Sequence, residues 1–321
     1  MPKTYVKDPQ VSFIEGSTDI LSVIRSYFPE YEDGRLVLCP NHTDEKASLS
    51  ISLNGKAKCH GCGLVARDIV DFVAKMNDLD YEEVKTMMYE EIVNGIPESK
   101  VQACVKALGE HKKLRTAARK YLRKTRNLSS SVIEEFKLGY EASSERITIP
   151  IYDKFKTCVN MRRIAWTMAY SPKALNLKGH GEVRLFPENK IVFERRLLLV
   201  EGEWDCLVGR SMGLPTCTWT GGAASWNEKY EHFFRDKAVW VLYDNDKAGD
   251  TGATQAMNKL EAAQSVHMVA NFFERGTDLT DISKANPSWL SALKKTIESF
   301  KFPSNHKPKK FCPTCGAEVK R

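Results

Sequence analysis

Two short segments constrain this chain more than any other feature: CPNH at residues 39–42 and CHGCG at residues 59–63. Cys39 and His42 stand two residues apart, as do Cys59 and Cys62, and sixteen residues separate the pairs. Zinc takes four tetrahedral soft or borderline donors, and two turns on a β ribbon, each projecting two side chains, supply that set. The sequence between the pairs fits a ribbon. Leu49, Ile51 and Leu53 alternate in LSISL, and Asn54-Gly55 is a two-residue hairpin turn. Cysteines acting only as small buried apolar side chains have no reason to fall in register with a histidine. Cys39, His42, Cys59 and Cys62 are therefore expected to hold a zinc ion. With all four positions filled by protein, that zinc is structural and activates no water. His60, inside the C-x-x-C turn, is the less suitable donor.

The other cysteines lead in the same direction. Nine is an odd count, clustered at 39, 59 and 62 and at 312 and 315, which suits thiols and metal ligands better than a disulfide framework. MPKTYVKDPQ lacks the basic-then-apolar pattern of a secretory signal, and no apolar run is long enough to cross a bilayer. A cytoplasmic protein with no membrane partner is expected. Cys206 and Cys217 are expected inside the core. In the tail, Cys312 and Cys315 are either an idle pair or a half site for a second zinc. His306, another chain, or one of Cys104, Cys158, Cys206 and Cys217 would complete it.

A chain of 321 residues accommodates two or three domains. Its net charge of +7 is unevenly spread. Residues 1–95 hold 10 Lys/Arg against 16 Asp/Glu, residues 96–200 hold 22 against 10, and residues 201–321 hold 16 against 15. Nearly all the excess positive charge lies in the middle third, where a polyanion partner such as nucleic acid is expected.

Helical spacing runs through residues 17–28, 67–94 and the charged stretch to Arg126. Strands are expected in RITIPIYD and TCVNMRRIAW. From residue 197 strand and helix alternate: LLLVEG, a helix over 204–212 ended by Gly213, TCTW, VWVLYD, a helix over 248–263, VHMVANF and a helix over 289–300. Such alternation indicates an α/β fold with a parallel sheet, whose strands deliver their C-terminal residues to one rim. At that rim stand acids. Glu201 ends LLLV, Asp244 ends VWVLY, Asp246 follows two residues later, Asp205 follows Glu201 by four, and Asp278 comes after a further strand and loop. Carboxylates gathered in a small volume repel one another unless a divalent cation is present, and magnesium binds through a few carboxylates while keeping water and substrate phosphate. Glu203 and Asp250 read instead as solvated or helix-capping acids.

EGEWD and DNDKAGD resemble the two signatures of the Toprim domain, and CPNH…CHGCG is similar to the zinc ribbon of bacterial and phage DNA primases. STDILSVI and DIVDFVAKM resemble the flanks of that ribbon, RITIPIYDKFKTCVNMRRI and PKALNLKG the basic segments before the Toprim domain, and GTDLTD the late acidic motif. The resemblance covers about residues 10 to 290. It implies a zinc-ribbon domain over 1–95, a linker over 96–112, a basic α+β segment over 113–196, a Toprim domain over 197–302 and a tail over 303–321. It also implies a DNA primase, an RNA polymerase that makes short primers on single-stranded DNA from ribonucleoside triphosphates with magnesium or manganese. Carried across by position, Glu201, Asp244 and Asp246 are catalytic, and Asp205 and Asp278 join them as metal ligands. Arg146, Arg162 or its neighbour Arg163, and Lys173 fall in segments that contact nucleotide and template. Two departures stand out. Lys56-Ala57-Lys58 replaces the aromatic residues common before CHGCG, and GTDLTD is one residue longer between its acids, which leaves Asp281 open as a ligand. No G-x-x-x-x-G-K-[ST] loop is present, so unwinding would fall to a separate replicative helicase. A Toprim nuclease or topoisomerase would explain the acids but neither the ribbon nor PKALN. A non-catalytic zinc-containing nucleic-acid binder would leave the acids unexplained.

Overall fold

The computed structural model describes residues 8–28, 30–191, 194–269 and 274–302. These divide into two compact units, one built from residues up to Gly95 together with Lys154–Thr157, the other from Ile96–Asp153 and the chain from Cys158 onward.

The first unit opens with α1 (Pro9–Ser17) and α2 (Ile20–Tyr27). Asp8 caps α1 by accepting from the Gln10 N–H, with Pro9 at its first position, and Asp19 caps α2 through the Ser22 N–H. Helix α1 was not expected from the sequence. A three-stranded antiparallel ribbon follows, β1 (Leu49–Ile51), β2 (Ala57–Cys59) and β3 (Val65–Ala66), with Leu49 opposite Cys59 and Ile51 opposite Ala57. Gly55 turns the hairpin at φ +81°, and a Cβ there would fall 2.6 Å from the Ile69 Cα, so only glycine fits. Helices α3 (Ile69–Asn77) and α4 (Tyr81–Val93) complete the unit, where Val70, Phe72 and Val73 join the ribbon's inward residues in one core.

The second unit begins with α5 (Glu98–Gly109), which occupies the stretch 96–112 expected as a linker. Val101, Cys104 and Leu108 recur on one face and are buried, so this segment is packed structure and not a spacer. Next come α6 (Lys113–Lys120), a π-helical turn over Tyr121–Thr125 and α7 (Ser130–Glu135). Strands β4 (Gly139–Glu141), β5 (Arg146–Tyr152), β6 (Cys158–Ile164) and β7 (Ala174–Leu175) form an antiparallel sheet in chain order.

The acids belong to a five-stranded sheet. Its elements are β8 (Leu185–Phe186), α8 (Glu188–Ile191), β9 (Arg196–Val200), α9 (Glu203–Ser211), β10 (Thr216–Trp219), β11 (Ala238–Leu242), α10 (Lys247–Lys259), β12 (Ser265–Met268), α11 (Leu279–Ala285) and α12 (Pro287–Ser299). The order is β12-β11-β9-β10-β8, parallel except for β8. Unbroken apolar runs suit the central strands because both faces are covered. Leu198, Val200, Trp240 and Leu242 enter one core, while Leu197, Leu199, Val239 and Val241 enter the other. Cys206 and Cys217 are fully buried, one in each. Among the described residues no helix is long and apolar enough to cross a membrane.

Candidate functional site

In the ribbon, the donor atoms of Cys39, His42, Cys59 and Cys62 all lie within 4.8 Å of one another. Cys39 Sγ is 3.8 Å from Cys62 Sγ, and His42 Nδ1 is 4.0 Å from Cys59 Sγ. The C-x-x-C turn aims its own amides at the first sulfur, the Gly61 and Cys62 N–H groups each donating to Cys59 Sγ at 3.3 Å. A Cβ on Gly61 would come within 2.5 Å of His42 Nε2, so the imidazole seats against glycine. Behind the donors, Asp44 accepts from the Cys39 N–H at 3.0 Å and from Ser48 Oγ at 2.7 Å, and faces His42 Nε2 at 3.7 Å. Burial opposes a thiolate at Cys59, yet hydrogen bonds from Ser48 and the turn amides bring its pKa down to about 6. Burial pushes Cys39 up to about 12, a penalty that a cation relieves. The donor set fits structural zinc, and His60 stands outside it.

The second cluster sits where the strand order of the parallel sheet reverses, between β9 and β11, the position at which open α/β sheets bind ligands. Glu201 leaves β9 directly, and Asp205 lies in the first turn of α9, buried. The Asp244 N–H reaches Glu201 Oε2 at 3.4 Å. Asp246 caps α10 through the Gly249 N–H at 2.8 Å, and Asp278 caps α11 through the Asp281 N–H at 2.9 Å, each with one carboxylate oxygen. Gly249 is required here, because a Cβ would fall 2.1 Å from the Asp244 carbonyl oxygen. Asp281 is itself exposed.

Electrostatics bind these acids into one group. Burial raises the pKa of Glu201, with the Asp246 charge adding to it and Lys173 opposing. Burial raises Asp205 well above the carboxylate range, reinforced by Asp244, Asp278 and Glu201, with Arg126 opposing. Asp244 is lifted to about 7 by burial and then by Glu201, Asp278 and Asp246, again against Lys173. A site that so disfavours its own negative charge is chemically matched to a divalent cation.

Nothing local in the sequence distinguishes Arg126, one of many basic residues in RKYLRKTR. Its guanidinium lies 3.6 Å from Asp278 and over the rings of Tyr121 and Trp204 at 5.6 and 5.2 Å. The π turn brings it there, the Arg126 N–H reaching back five residues to the Tyr121 carbonyl.

The arginines expected to face nucleotide and template turn inward. Arg146 is buried and donates to the Lys173 carbonyl at 3.4 Å. Arg162 pairs with Glu203 at 2.7 Å and donates to Asn176 Oδ1, while Arg163 pairs with Glu141 at 3.3 Å. Glu203 is accordingly not the solvated or capping acid expected, but a buried half of an ion pair. Asp250 is an exposed surface acid beside Arg275. Lys173 alone of the basic residues carried across by resemblance is exposed. Cys312, Cys315 and His306 lie outside the described residues.

Residues 6–103 match the CHC2 zinc finger family, and residues 198–282 match the Toprim-like family. The DNA primase of Chlamydia trachomatis serovar D is 22% identical over 330 residues, covering 81% of this chain and 54% of that protein. This chain spans about half the length of the curated relatives it matches. The crystal structure of the Aquifex aeolicus primase zinc-binding and RNA polymerase domains superposes with a TM-score of 0.52 at 21% identity, covering 91% of this chain and 86% of that one. A DnaG primase catalytic domain bound to single-stranded DNA superposes at 0.50 with 19% identity, over 65% of this chain and 78% of that one. At these identities the likeness is one of fold.

Proposed function

We propose that this chain, which has the zinc-ribbon and Toprim architecture of the DnaG-type primases, is a DNA primase that makes RNA primers on a single-stranded DNA template. The observation that carries the reading is the set Glu201, Asp205, Asp244, Asp246 and Asp278 at the reversal of strand order, where burial and the neighbouring acids raise the carboxyl pKa of Glu201, Asp205 and Asp244. These residues would hold magnesium or manganese. When bound, such a cation lowers the pKa of a primer 3′-hydroxyl and offsets charge on the triphosphate as pyrophosphate leaves.

The chain's own groups supply positioning. Asp246 and Asp278 each spend one oxygen on a helix N-terminus, which aims the other. Arg126 steadies Asp278 from the side. Lys173, exposed and acting electrostatically on both Glu201 and Asp244, would meet substrate phosphate. Transfer of this kind depends on geometry and charge, not on a covalent intermediate. The ribbon's zinc takes no part in the chemistry, since its four protein donors leave no open position. The excess positive charge of residues 96–200 suits the template backbone, and a related catalytic domain has been solved with single-stranded DNA.

The test incubates the protein with single-stranded DNA, labelled ribonucleoside triphosphates and magnesium. New oligoribonucleotides that disappear in Asp244→Ala/Asp246→Ala are the expected result. Cleaved template without synthesis, or synthesis undiminished in the double variant, would overturn the reading.

A further inference from the structure

The short segment that carries Lys173 is gripped by three arginines at once. Arg146 donates to the Lys173 carbonyl at 3.4 Å, Arg162 to Asn176 Oδ1 at 2.8 Å, and Arg163 to the Asn176 carbonyl at 2.8 Å. Asn160 Nδ2 donates to the same Asn176 Oδ1 at 2.9 Å, and the Ala165 N–H to the Lys173 carbonyl at 2.8 Å. Each guanidinium also meets an electron-rich partner: Glu203 for Arg162, Glu141 for Arg163, and the Tyr170 ring, 5.9 Å away, for Arg146. A planar fork of donors can satisfy a carboxylate and an amide oxygen together, which a lysine cannot do.

Glu203 is the member of this network that touches the acids' own element. It lies in the first turn of α9, two residues after Glu201 and two before Asp205. Through Arg162 and Asn176 it reaches a segment whose exposed lysine acts electrostatically on both Glu201 and Asp244. An isolated buried ion pair stabilises little relative to an apolar pair, so its geometry matters more here than its energy.

We propose that Glu203 is a positioning residue: by way of Arg162 and Asn176 it sets Lys173 in register with Glu201 and Asp244, so that the lysine meets the phosphates of a nucleoside triphosphate beside the carboxylate-bound cation. This rests on the nucleotidyl-transfer reading and adds which residue fixes the lysine against the acids.

A double-mutant cycle tests it, comparing wild type, Glu203→Gln, Lys173→Ala and the pair of changes. Two quantities are read: kcat/KM for ribonucleoside triphosphate in primer synthesis, and the Mn²⁺ dissociation constant by calorimetry without nucleotide. Glu203→Gln is expected to lower kcat/KM about tenfold, chiefly through KM, when Lys173 is present and by less than about twofold when it is absent. Lys173→Ala should tighten Mn²⁺ by removing a repelling charge, and Glu203→Gln should alter Mn²⁺ affinity by a different factor in the two backgrounds. Equal factors with and without Lys173, in both quantities, overturn the proposal. A wild-type protein that makes no primers sinks the nucleotidyl-transfer reading instead, and the Mn²⁺ cycle still decides the positioning role. Should Glu203→Gln fail to fold, Asn176→Ala removes the same link without opening the ion pair. It is expected to show the same dependence on Lys173, and equal effects in both backgrounds would reject the link.

Discussion

Asp244 shows most plainly what the acid cluster costs the fold. Its pKa rises from the ordinary 3.8 to about 7, through burial first and then the charges of Glu201, Asp278 and Asp246. The folded chain therefore holds a proton there more tightly than the unfolded chain. Below about pH 4 both states are protonated and the site costs nothing; the penalty grows as pH rises towards 7 and is complete above it. Asp244→Asn should stabilise the metal-free protein at pH 8 by about 1–2 kcal/mol, allowing for solvent screening of this part-exposed group. At pH 5 the gain should be much smaller, and primer synthesis should be lost at either pH. Thermal melts in chelator at the two pH values measure this. Equal shifts at both, or a loss of stability at pH 8, would mean the carboxylates do not repel one another as placed. Protons and cation compete for the same oxygens, so the apparent magnesium affinity of the wild type should increase between pH 6 and 8.

The elements carrying the acids announce themselves because β9 and β11 are covered on both faces and so read as unbroken apolar runs ending on charge. The ribbon is equally plain, since four donors and a hairpin turn are local in sequence. Helix α1 is harder, with a weak apolar pattern and only Asp8-Pro9 to mark its start. Helix α5 looks like a linker because it follows the Gly95-Ile96-Pro97 break and opens on Glu98-Ser99-Lys100, although Val101, Cys104 and Leu108 already recur at helical spacing. The inward turn of the arginines cannot be seen locally at all: Arg162 finds its carboxylate 41 residues away, and the pairing exists only once β6 and α9 are packed. Close packing of elements also governs the acids. Gly249 lets α10 approach the end of β11, and Gly249→Ala would force helix and Asp244 carbonyl apart from a 2.1 Å overlap. A destabilisation of about 1–3 kcal/mol is expected from that overpacking. Mn²⁺ binding should weaken with it, because Asp246 caps the displaced helix. Calorimetric titration showing unchanged Mn²⁺ affinity would separate the helix position from the site.

Across the whole molecule, charge is unevenly divided. Residues 1–95 carry six more acids than bases, and residues 96–200 carry twelve more bases than acids. Several of those bases are already committed, Arg146, Arg162 and Arg163 to the Lys173 segment and Arg115 to Glu110. The exposed remainder includes Lys113 and Lys120 on α6 and Lys124 in the π turn that leads to Arg126 and the acids. A single strand tracking this path would release counterions from the phosphates it presents to them. The logarithm of its binding constant should then fall linearly with the logarithm of salt, by about 0.7 per phosphate contact. Lys120→Ala/Lys124→Ala should weaken binding of a mixed-sequence DNA strand at low salt and make that slope shallower by about 1–1.5. Lys56→Ala/Lys58→Ala, in the net-acidic ribbon, should leave the slope nearly unchanged. Fluorescence anisotropy over a salt series measures both, and the opposite ranking would move the template path from the basic segment to the ribbon.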